Sequence, residues 1–157
     1  MKISDIRPIT LRYDILLVFA FLLIPVFAFA QVEKKYVRQG NREYEKNKYS
    51  ESEISYRRAL DKAKIYPDAV FNTGDALYKQ KKYEDAGKQF TENSTMNEDK
   101  SKKSAALYNL GNSYLMANKV QESIDAYKSS LKIKPDNQEA KYNLAYAQDL
   151  LQQQQQQ

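Results

Sequence analysis

Small and apolar residues recur along this chain at intervals of three and four, in short segments separated by polar turns. Such intervals place the residues on one face of an α-helix, so each segment predicts a helix that packs against a neighbour. Two adjacent segments show the pattern at Val70, Thr73, Gly74 and Leu77, and then at Tyr83, Ala86, Gly87 and Phe90. The centre of the chain is therefore predicted to be a pair of helices.

The helix pair is repeated, and glycines mark the repeats. Gly40, Gly74 and Gly111 lie 34 and 37 residues apart in similar stretches of sequence, such as VFNTGDALYKQKKYEDAGKQF and LYNLGNSYLMANKVQESIDAY. One pair cannot bury its apolar face, whereas stacked pairs share a continuous core. The repeats predict an all-α fold, an α-solenoid of three helix pairs plus a C-terminal capping helix. Within a domain of residues 31–151, the units span about 33–66, 67–103 and 104–137, the capping helix 138–151, and a polyglutamine tail follows at 152–157.

The glycines fall inside the first helix of each unit, where glycine costs roughly 1 kcal/mol relative to alanine. We interpret them as packing points at which the two helices of a unit approach closely. A small residue such as Ala86 or Ser123 on the second helix would face the glycine, and aromatic neighbours would close over the contact. The residues with predicted structural roles are Gly40, Gly74, Ala86, Gly111 and Pro135.

Asparagines and prolines mark the predicted helix ends. Asn47 and Asn118 stand just before the second helix of units one and three, where a left-handed residue can end the first helix. Pro67 suits the first turn of the next helix, and Pro135 ends the last paired helix before another begins. Three extra residues between units two and three are expected to lengthen a helix or a turn.

Composition excludes most catalytic chemistry. The chain has no histidine and no cysteine, so the usual general bases, thiolate nucleophiles and nitrogen or sulfur metal ligands are missing. We therefore expect no enzymatic activity, no metal, no cofactor and no small-molecule substrate. The net charge is +5, but charges of both signs alternate instead of forming the basic face that nucleic acid requires, so nucleic acid is not an expected partner.

The first thirty residues differ from the rest. Lys2, Arg7 and Arg12 precede 16 apolar residues at 15–30, which end in Ala28-Phe29-Ala30. A basic start, an apolar centre and small residues two apart at the end are typical of a secretory signal peptide. The apolar run is shorter than the roughly 20 residues of a membrane span. We expect cleavage after Ala30 and a periplasmic protein, with an uncleaved inner-membrane anchor as the alternative.

The repeats resemble the tetratricopeptide repeat, through the 34-residue spacing and the recurring small, aromatic and proline positions. The resemblance implies a superhelix with a concave groove, lined by the first helix of every unit, that binds protein or peptide partners. The residues that match groove positions are Arg38, Asn41, Tyr44, Phe71, Asn72, Asp75, Tyr78, Tyr108, Asn109, Asn112, Tyr142, Asn143 and Tyr146.

An aromatic residue followed by asparagine recurs among these groove positions, at Phe71-Asn72, Tyr108-Asn109 and Tyr142-Asn143. An asparagine amide offers both a donor and an acceptor to an extended peptide, and a neighbouring ring offers an apolar pocket. Alternatively, each asparagine bonds a neighbouring helix and each ring packs between units. Both roles can hold at once.

Some members of this repeat family clamp the terminal carboxylate of a peptide with two asparagines and three cationic residues. Asn41 and Asn72 match the asparagine positions, but the cationic positions hold Val37, Ala105 and Asn109. A carboxylate would lose its water there with little compensation. We do not expect that clamp.

The leader, the repeats and the segment IKPDNQEAKYNLAYAQDLL with its glutamine tail resemble the BatC-like family of tetratricopeptide proteins, from the Bat aerotolerance operon of Bacteroidetes-type bacteria. That resemblance implies an envelope protein that works beside membrane-associated von Willebrand A-domain partners in oxidative-stress tolerance. The alternative is a structural spacer that assembles with itself, as a homo-oligomer, through its convex face and tail.

Overall fold

The computed structural model describes residues 32–63 and 65–156, and these form seven helices without a strand. Residues 32–45 are helical and are called α1. The others are α2 (Tyr49–Lys62), α3 (Pro67–Lys79), α4 (Tyr83–Met96), α5 (Lys100–Met116), α6 (Val120–Ile133) and α7 (Gln138–Gln155). The predicted leader and its cleavage site lie outside the described residues.

The helices pack in chain order, which confirms the predicted solenoid. From α2 to α7 each helix packs on the next, and α5 also touches α7. We call α1, α3, α5 and α7 the inner helices, and α2, α4 and α6 the outer helices. None of the helices in the described part of the chain is long and apolar enough to cross a membrane.

The core consists of two apolar clusters that follow the stack. The first surrounds Leu77, Phe90 and Leu110, and so joins α3, α4 and α5. The second surrounds Ile124 and Tyr127 of α6 and takes in apolar residues of α7, including Ala147. Because the last helix covers the apolar face of the third pair, α7 has the position of the predicted capping helix.

Aromatic rings face the repeat glycines, which corrects part of the predicted packing. A methyl group placed on Gly111 would lie 2.5 Å from the ring of Tyr127, and one on Gly40 would lie 2.5 Å from the ring of Tyr56. Gly74 meets Phe90 in the same way, at 2.8 Å. Each ring follows its glycine by 16 residues. The glycine therefore makes room for a ring of the outer helix, and the nearest atoms are not those of Ala86 or Ser123, which are themselves buried.

Three left-handed residues separate the helices within the units. Asn47 and Asn118 have φ values of 58° and 59°, which confirms the predicted helix ends. Lys81 has the same conformation in unit two, with φ 62°. The matching turns show that the chain reverses in the same way in each unit, whatever the residue.

The remaining helix boundaries follow from capping and proline. Pro67 is the first residue of α3, as predicted. The extra residues before unit three lengthen α5, which begins at Lys100 with Asp99 as its N-cap. Pro135 is exposed in the turn between α6 and α7, so it ends a helix and does not contribute packing. Asn137 caps α7, and the helix continues into the glutamines as far as Gln155.

Hydrogen bonds join the inner and outer helices of units two and three at equivalent places. Asn93 donates to the backbone oxygen of Pro67 at 2.6 Å. In unit three, Ser130 donates to the backbone oxygen of Ser104 at 2.8 Å, and Ser104 donates in return to that of Ser130 at 3.1 Å. These buried polar side chains are paired, so they fix the register of the two helices without an unsatisfied group.

Candidate peptide-binding groove

The inner helices line a row of cavities, and the row begins near the N-terminal ends of α1, α3 and α5. The first cavity has a volume of about 370 Å³. Apolar side chains from all three inner helices, Val37, Phe71 and Ala105, lie on its wall. The remaining lining residues are polar, namely Asn41, Asp68, Asn72, Asn93, Asn97 and Lys102. Lys102 is paired with Asp68 at 2.7 Å, so its charge is balanced within the cavity wall.

Two polar cavities occupy the middle of the groove, and both contain Asp75. One has a volume of about 260 Å³ and lies between α1 and α3. The other has a volume of about 180 Å³ and lies between α1, α3 and α5. Tyr44 also lines both. The remaining lining residues are Asn41, Glu45, Tyr56 and Asn72 in the first and Tyr78, Lys79, Phe90, Asn109 and Asn112 in the second.

An aromatic and aliphatic cavity of about 340 Å³ ends the groove near the C-terminal ends of α3 and α5. Tyr142 and Tyr146 of α7 lie there with side chains that are 74% and 54% exposed. Leu115 and Met116 complete the apolar surface. Large exposed apolar groups in a concave site are typical of a surface that a partner covers.

The recurring asparagines form a ladder across the inner helices, which we call the asparagine ladder. Asn72 donates to Asn41 at 3.3 Å, Asn109 to Asp75 at 3.3 Å, and Asn143 to Asn112 at 2.9 Å. The acceptor in every case is the residue that follows a repeat glycine. The asparagines therefore do bond neighbouring helices, and the amide oxygen of each donor asparagine keeps its capacity to accept a hydrogen bond.

The acceptor of the ladder receives a second hydrogen bond in units one and three. The hydroxyl of Tyr56 donates to Asn41 at 2.8 Å, and that of Tyr127 donates to Asn112 at 2.7 Å. Unit two has Phe90 at the ring position, which has no hydroxyl, and Asp75 in place of asparagine. Unit two therefore has a carboxylate where the other units have an amide oxygen that accepts two hydrogen bonds.

Burial is the main cause of the shifted pKa values in the middle of the groove. It raises the pKa of Asp75 to about 6, and Lys79 on the same helix opposes the rise only in part. Burial also raises the pKa of Tyr44 to about 12, with the nearby Asp75 charge adding to the effect. The centre of the groove is thus a poorly hydrated place for a negative charge.

The structure places most of the predicted groove residues on cavity walls. Two of them lie elsewhere. Arg38 is exposed on α1 outside the four cavities, and Tyr108 packs between units against the second core cluster, where its hydroxyl accepts a hydrogen bond from Asn143 at 3.2 Å. The residues on cavity walls are Asn41, Tyr44, Phe71, Asn72, Asp75, Tyr78, Asn109, Asn112, Tyr142, Asn143 and Tyr146.

Several wall residues were absent from the predicted set because they come from outer helices or from helix ends. Asn93 of α4 and Asn97, the residue after α4, line the first cavity, and Leu115 and Met116 at the end of α5 line the last. The sequence does mark Asn93 and Asn97, since the equivalent positions in the other units also hold small or polar residues. The positions of helix ends relative to the groove depend on the packing angle, which the repeat pattern does not provide.

The three positions that are cationic in a carboxylate clamp hold neutral residues in this chain, namely Val37, Ala105 and Asn109. Val37 and Ala105 line the first cavity together with Asn41 and Asn72, and Asn109 lies in the middle of the groove. The structure therefore brings the asparagines of such a clamp together without its positive charges.

A depression of about 520 Å³ also lies on the outer face, between α4 and the turn before α6. Both of its lysines already have partners: Lys119 pairs with Glu84 at 2.7 Å, and Lys88 with Asp85 at 2.7 Å. Exposed pairs of this kind are solvated and contribute little. The groove, with its exposed rings and lone central carboxylate, is the better candidate site.

Stacked helix pairs with a concave groove define the class of helical repeat proteins that bind other proteins. Residues 37–92 and residues 104–137 match models of the tetratricopeptide repeat, and together the two matches cover more than half of the chain. The chain is therefore a tetratricopeptide repeat protein. A comparison with curated protein sequences gives no match.

Several solved structures share this fold. The first tetratricopeptide domain of Spaghetti (RPAP3) bound to the HSP90 peptide SRMEEVD is similar with a TM-score of 0.70 and 23% identity, over 77% of this chain and 94% of that one. The second domain of human RPAP3 in complex with the HSP70 peptide SGPTIEEVD gives 0.67 and 24%, over 78% and 97%. The N-terminal domain of stress-induced protein-1 from C. elegans gives 0.71 and 14%, over 77% and 98%.

Proposed function

We propose that this chain is a non-enzymatic adaptor that holds an extended segment of a partner protein in its concave groove. The observation that carries the proposal is the continuous row of cavities along the inner helices, which combines apolar walls at both ends with polar groups at its centre. This combination suits a peptide, whose side chains alternate with backbone groups that need hydrogen bonds. The two similar RPAP3 domains, one bound to an HSP90 peptide and one to an HSP70 peptide, support the same proposal.

The asparagine ladder gives the adaptor its expected mode of binding. The oxygens of Asn72 and Asn109 can accept backbone N–H groups of a bound segment while their amide N–H groups hold the neighbouring inner helix. Tyr142 and Tyr146 would cover an apolar side chain of the same segment. An occupant would thus replace water at groups that are already fixed in place, which lowers the entropic cost of binding.

Groove variants for a test must leave the stack intact. Replacing ladder asparagines would break bonds between inner helices and so mix a binding defect with a folding defect. Tyr142 and Tyr146 are better targets, since both are largely exposed. A matched control is the pair Ile54→Ala and Lys128→Ala, at exposed positions of the outer helices α2 and α6.

The test uses the full chain, expressed with its leader, as bait on a detergent-solubilised envelope fraction, with mass spectrometry of the retained proteins. We expect the wild type and the outer-helix control to retain the same partner, and the Tyr142→Ala, Tyr146→Ala variant to lose it. Equal recovery by the groove variant would contradict groove binding. Recovery of the bait alone, with a defined oligomer in light scattering, would favour the self-assembling spacer instead.

We further propose that the adaptor works in the bacterial cell envelope. The basic, apolar and small-residue pattern of residues 1–30 supports this location. The BatC-like resemblance supports membrane-anchored von Willebrand A-domain proteins as the partners and oxidative-stress tolerance as the process. Since the chain has no cysteine, its part in that process would be indirect, through its partners.

Cell fractionation followed by N-terminal sequencing tests the location. A chain that starts at Gln31 in the periplasmic fraction is the expected result. A chain that keeps its leader in the membrane fraction would show an inner-membrane anchor, and a chain with its leader in the cytoplasm would contradict export.

A further inference from the structure

We propose that the groove selects a partner segment with a lysine or arginine side chain, which binds at Asp75 between two apolar contacts. The inference rests on the proposed function, because it names the chemistry of the segment that the groove would hold. Its basis is the difference between unit two and its neighbours at one position of the groove floor.

The position after each repeat glycine forms the floor of the groove, and only unit two has a carboxylate there. Asn41 and Asn112 are neutral and each accepts two hydrogen bonds, one from a tyrosine hydroxyl and one from a ladder asparagine. Asp75 accepts one, from Asn109 at 3.3 Å. Its outer-helix neighbour is Phe90, whose ring has no donor. A charged group has thus replaced a neutral one just where the protein supplies fewer donors, which disfavours a purely structural role for the charge.

Few positive charges of the protein face Asp75. The groups around it are Tyr44 and Glu45 of α1, Tyr56 of α2, Phe90 of α4 and the amides of α5, with Lys79 as the cation in these walls. Lys79 is exposed on the same helix as Asp75. The ion pairs found in residues 32–63 and 65–156 use the other carboxylates Glu53, Asp68, Glu84 and Asp85.

The surroundings of Asp75 suit a long cationic side chain. The two middle cavities meet at Asp75 and are lined by the rings of Tyr44 and Tyr78, which can contact an aliphatic stem or the face of a cation. A lysine or arginine would supply the missing donors and remove the cost of an isolated buried charge. Burial of the carboxylate, which raises its pKa to about 6, agrees with a group that lacks its counter-charge in the free protein.

The ends of the groove complete the expected pattern of the segment. The first cavity offers Val37, Phe71 and Ala105, and the last offers Leu115, Tyr142 and other apolar groups. A segment that crosses the groove would therefore place apolar side chains on both sides of its basic residue. A segment with a carboxylate at this position would bring like charges next to Asp75 and Glu45, which is unfavourable.

The test is a selection of random peptides displayed on phage, with the full chain, expressed with its leader, as the target. We expect the enriched peptides to share a lysine or arginine at one fixed position with apolar residues on both sides. Asp75→Asn keeps the size and shape of the side chain, and we expect it to bind the best selected peptide at least tenfold more weakly. Asp61→Asn, at an exposed position of α2, is the matched control and should bind like the wild type.

A pH series adds a readout that a merely structural role would not change. We expect binding of the selected peptide by the wild type to weaken severalfold to about tenfold from pH 7.5 to pH 5, as Asp75 takes up a proton. Asp75→Asn should show no such weakening. The chain has no histidine that would titrate in the same interval, and lysine or arginine in the peptide stays charged.

The outcomes separate this inference from the proposed function. Enriched peptides without a basic residue, or equal binding by Asp75→Asn, would overturn the role of Asp75 while peptide binding itself stands. An absence of any enriched peptide that depends on Tyr142 and Tyr146 would overturn both. Binding of the best selected peptide equally tightly after its basic residue is changed to glutamate would also contradict the inference.

Discussion

Among the glycines, the closest packing is the contact between each repeat glycine and the ring that follows it by 16 residues. The ring of Tyr127 is fully buried and its hydroxyl is held by Asn112, so it cannot swing away from a new atom on Gly111. A fourth glycine, Gly87, lies in an outer helix and has ordinary space around it, with Leu110 at 3.5 Å from an added methyl group. A side chain can therefore be added at Gly87 but not at Gly111 without displacing a neighbour.

Gly111→Ala should destabilise the protein by about 2 kcal/mol, because overpacking against Tyr127 exceeds the gain in helix propensity. Gly111→Leu should cost on the order of 3 kcal/mol or more. Gly87→Ala is the control and should be neutral or stabilising by up to about 1 kcal/mol. Urea unfolding followed by circular dichroism measures all three, and equal effects of the two alanine variants would contradict the packing described.

Asp75 makes stability depend on pH. Its folded pKa of about 6 lies above the ordinary value of 3.8, so the folded state binds the proton more tightly than the unfolded state. This contribution to stability is therefore complete at low pH and is lost as the pH rises through about 6. Asp75→Asn should be more stable than the wild type at pH 7.5, on the order of 2 kcal/mol after allowance for water in the groove, and equal to it near pH 4. Urea unfolding at pH 4, 5, 6 and 7.5 checks this, and a constant difference would contradict it.

At this scale the sequence predicted which residues matter better than it predicted what they touch. The importance of the glycines could be inferred from the sequence alone. A glycine inside a helix lowers stability, so its recurrence at the same place in each repeat indicates a shared packing role. The sequence also shows an aromatic residue 16 positions after each repeat glycine. Recognising that residue as the partner of the glycine requires knowing that its side chain reaches from the outer helix to the inner helix. The raised pKa of Asp75 depends on burial by neighbouring helices, for which the sequence has no local signal.

At the scale of the helices, the turns show how far local chemistry determines the fold. Asparagine tolerates the left-handed conformation, and its presence at 47 and 118 allowed these helix ends to be predicted. Lys81 adopts the same conformation although lysine does not favour it, because the packing of α3 on α4 imposes the reversal. Where propensity and packing agree the sequence is sufficient, and where they disagree packing decides.

Lys81→Asn should therefore stabilise the protein by roughly 0.5–1 kcal/mol, since it relieves a left-handed lysine. The reverse change, Asn118→Lys, should cost a similar amount at the equivalent turn of unit three. Thermal unfolding of both variants and of the wild type gives the comparison. A destabilised Lys81→Asn variant would mean that the lysine side chain makes a favourable contact that exceeds the backbone cost.

At the scale of the whole molecule, stability comes from contacts between neighbours, and α7 completes them. The residues Leu144, Leu150 and Leu151 cover Val120, Ile124 and Tyr127 of unit three. The solenoid and its capping helix could be predicted because stacked repeats require a covered end. The shapes of the groove cavities could not be predicted, since they depend on how side chains from neighbouring inner helices pack.

Truncation tests the cap directly. A chain that ends at Leu151 should lose less than about 0.5 kcal/mol, because residues 152–156 are exposed. A chain that ends at Lys134 lacks α7 and should lose about 3 kcal/mol or more, with an early transition in urea as unit three opens. If both truncations unfold alike, α7 does not cap the stack.

The floor position after each repeat glycine reads Asn41, Asp75 and Asn112 along the chain. The asparagine ladder joins each of these residues to the next inner helix, so a change at one floor position acts on neighbouring helices more than on distant repeats. A segment that binds in the groove would therefore meet one floor residue from each repeat. Single substitutions at the floor would therefore change the preference of the groove one repeat at a time, and unit two already differs from its neighbours through Asp75 and Phe90.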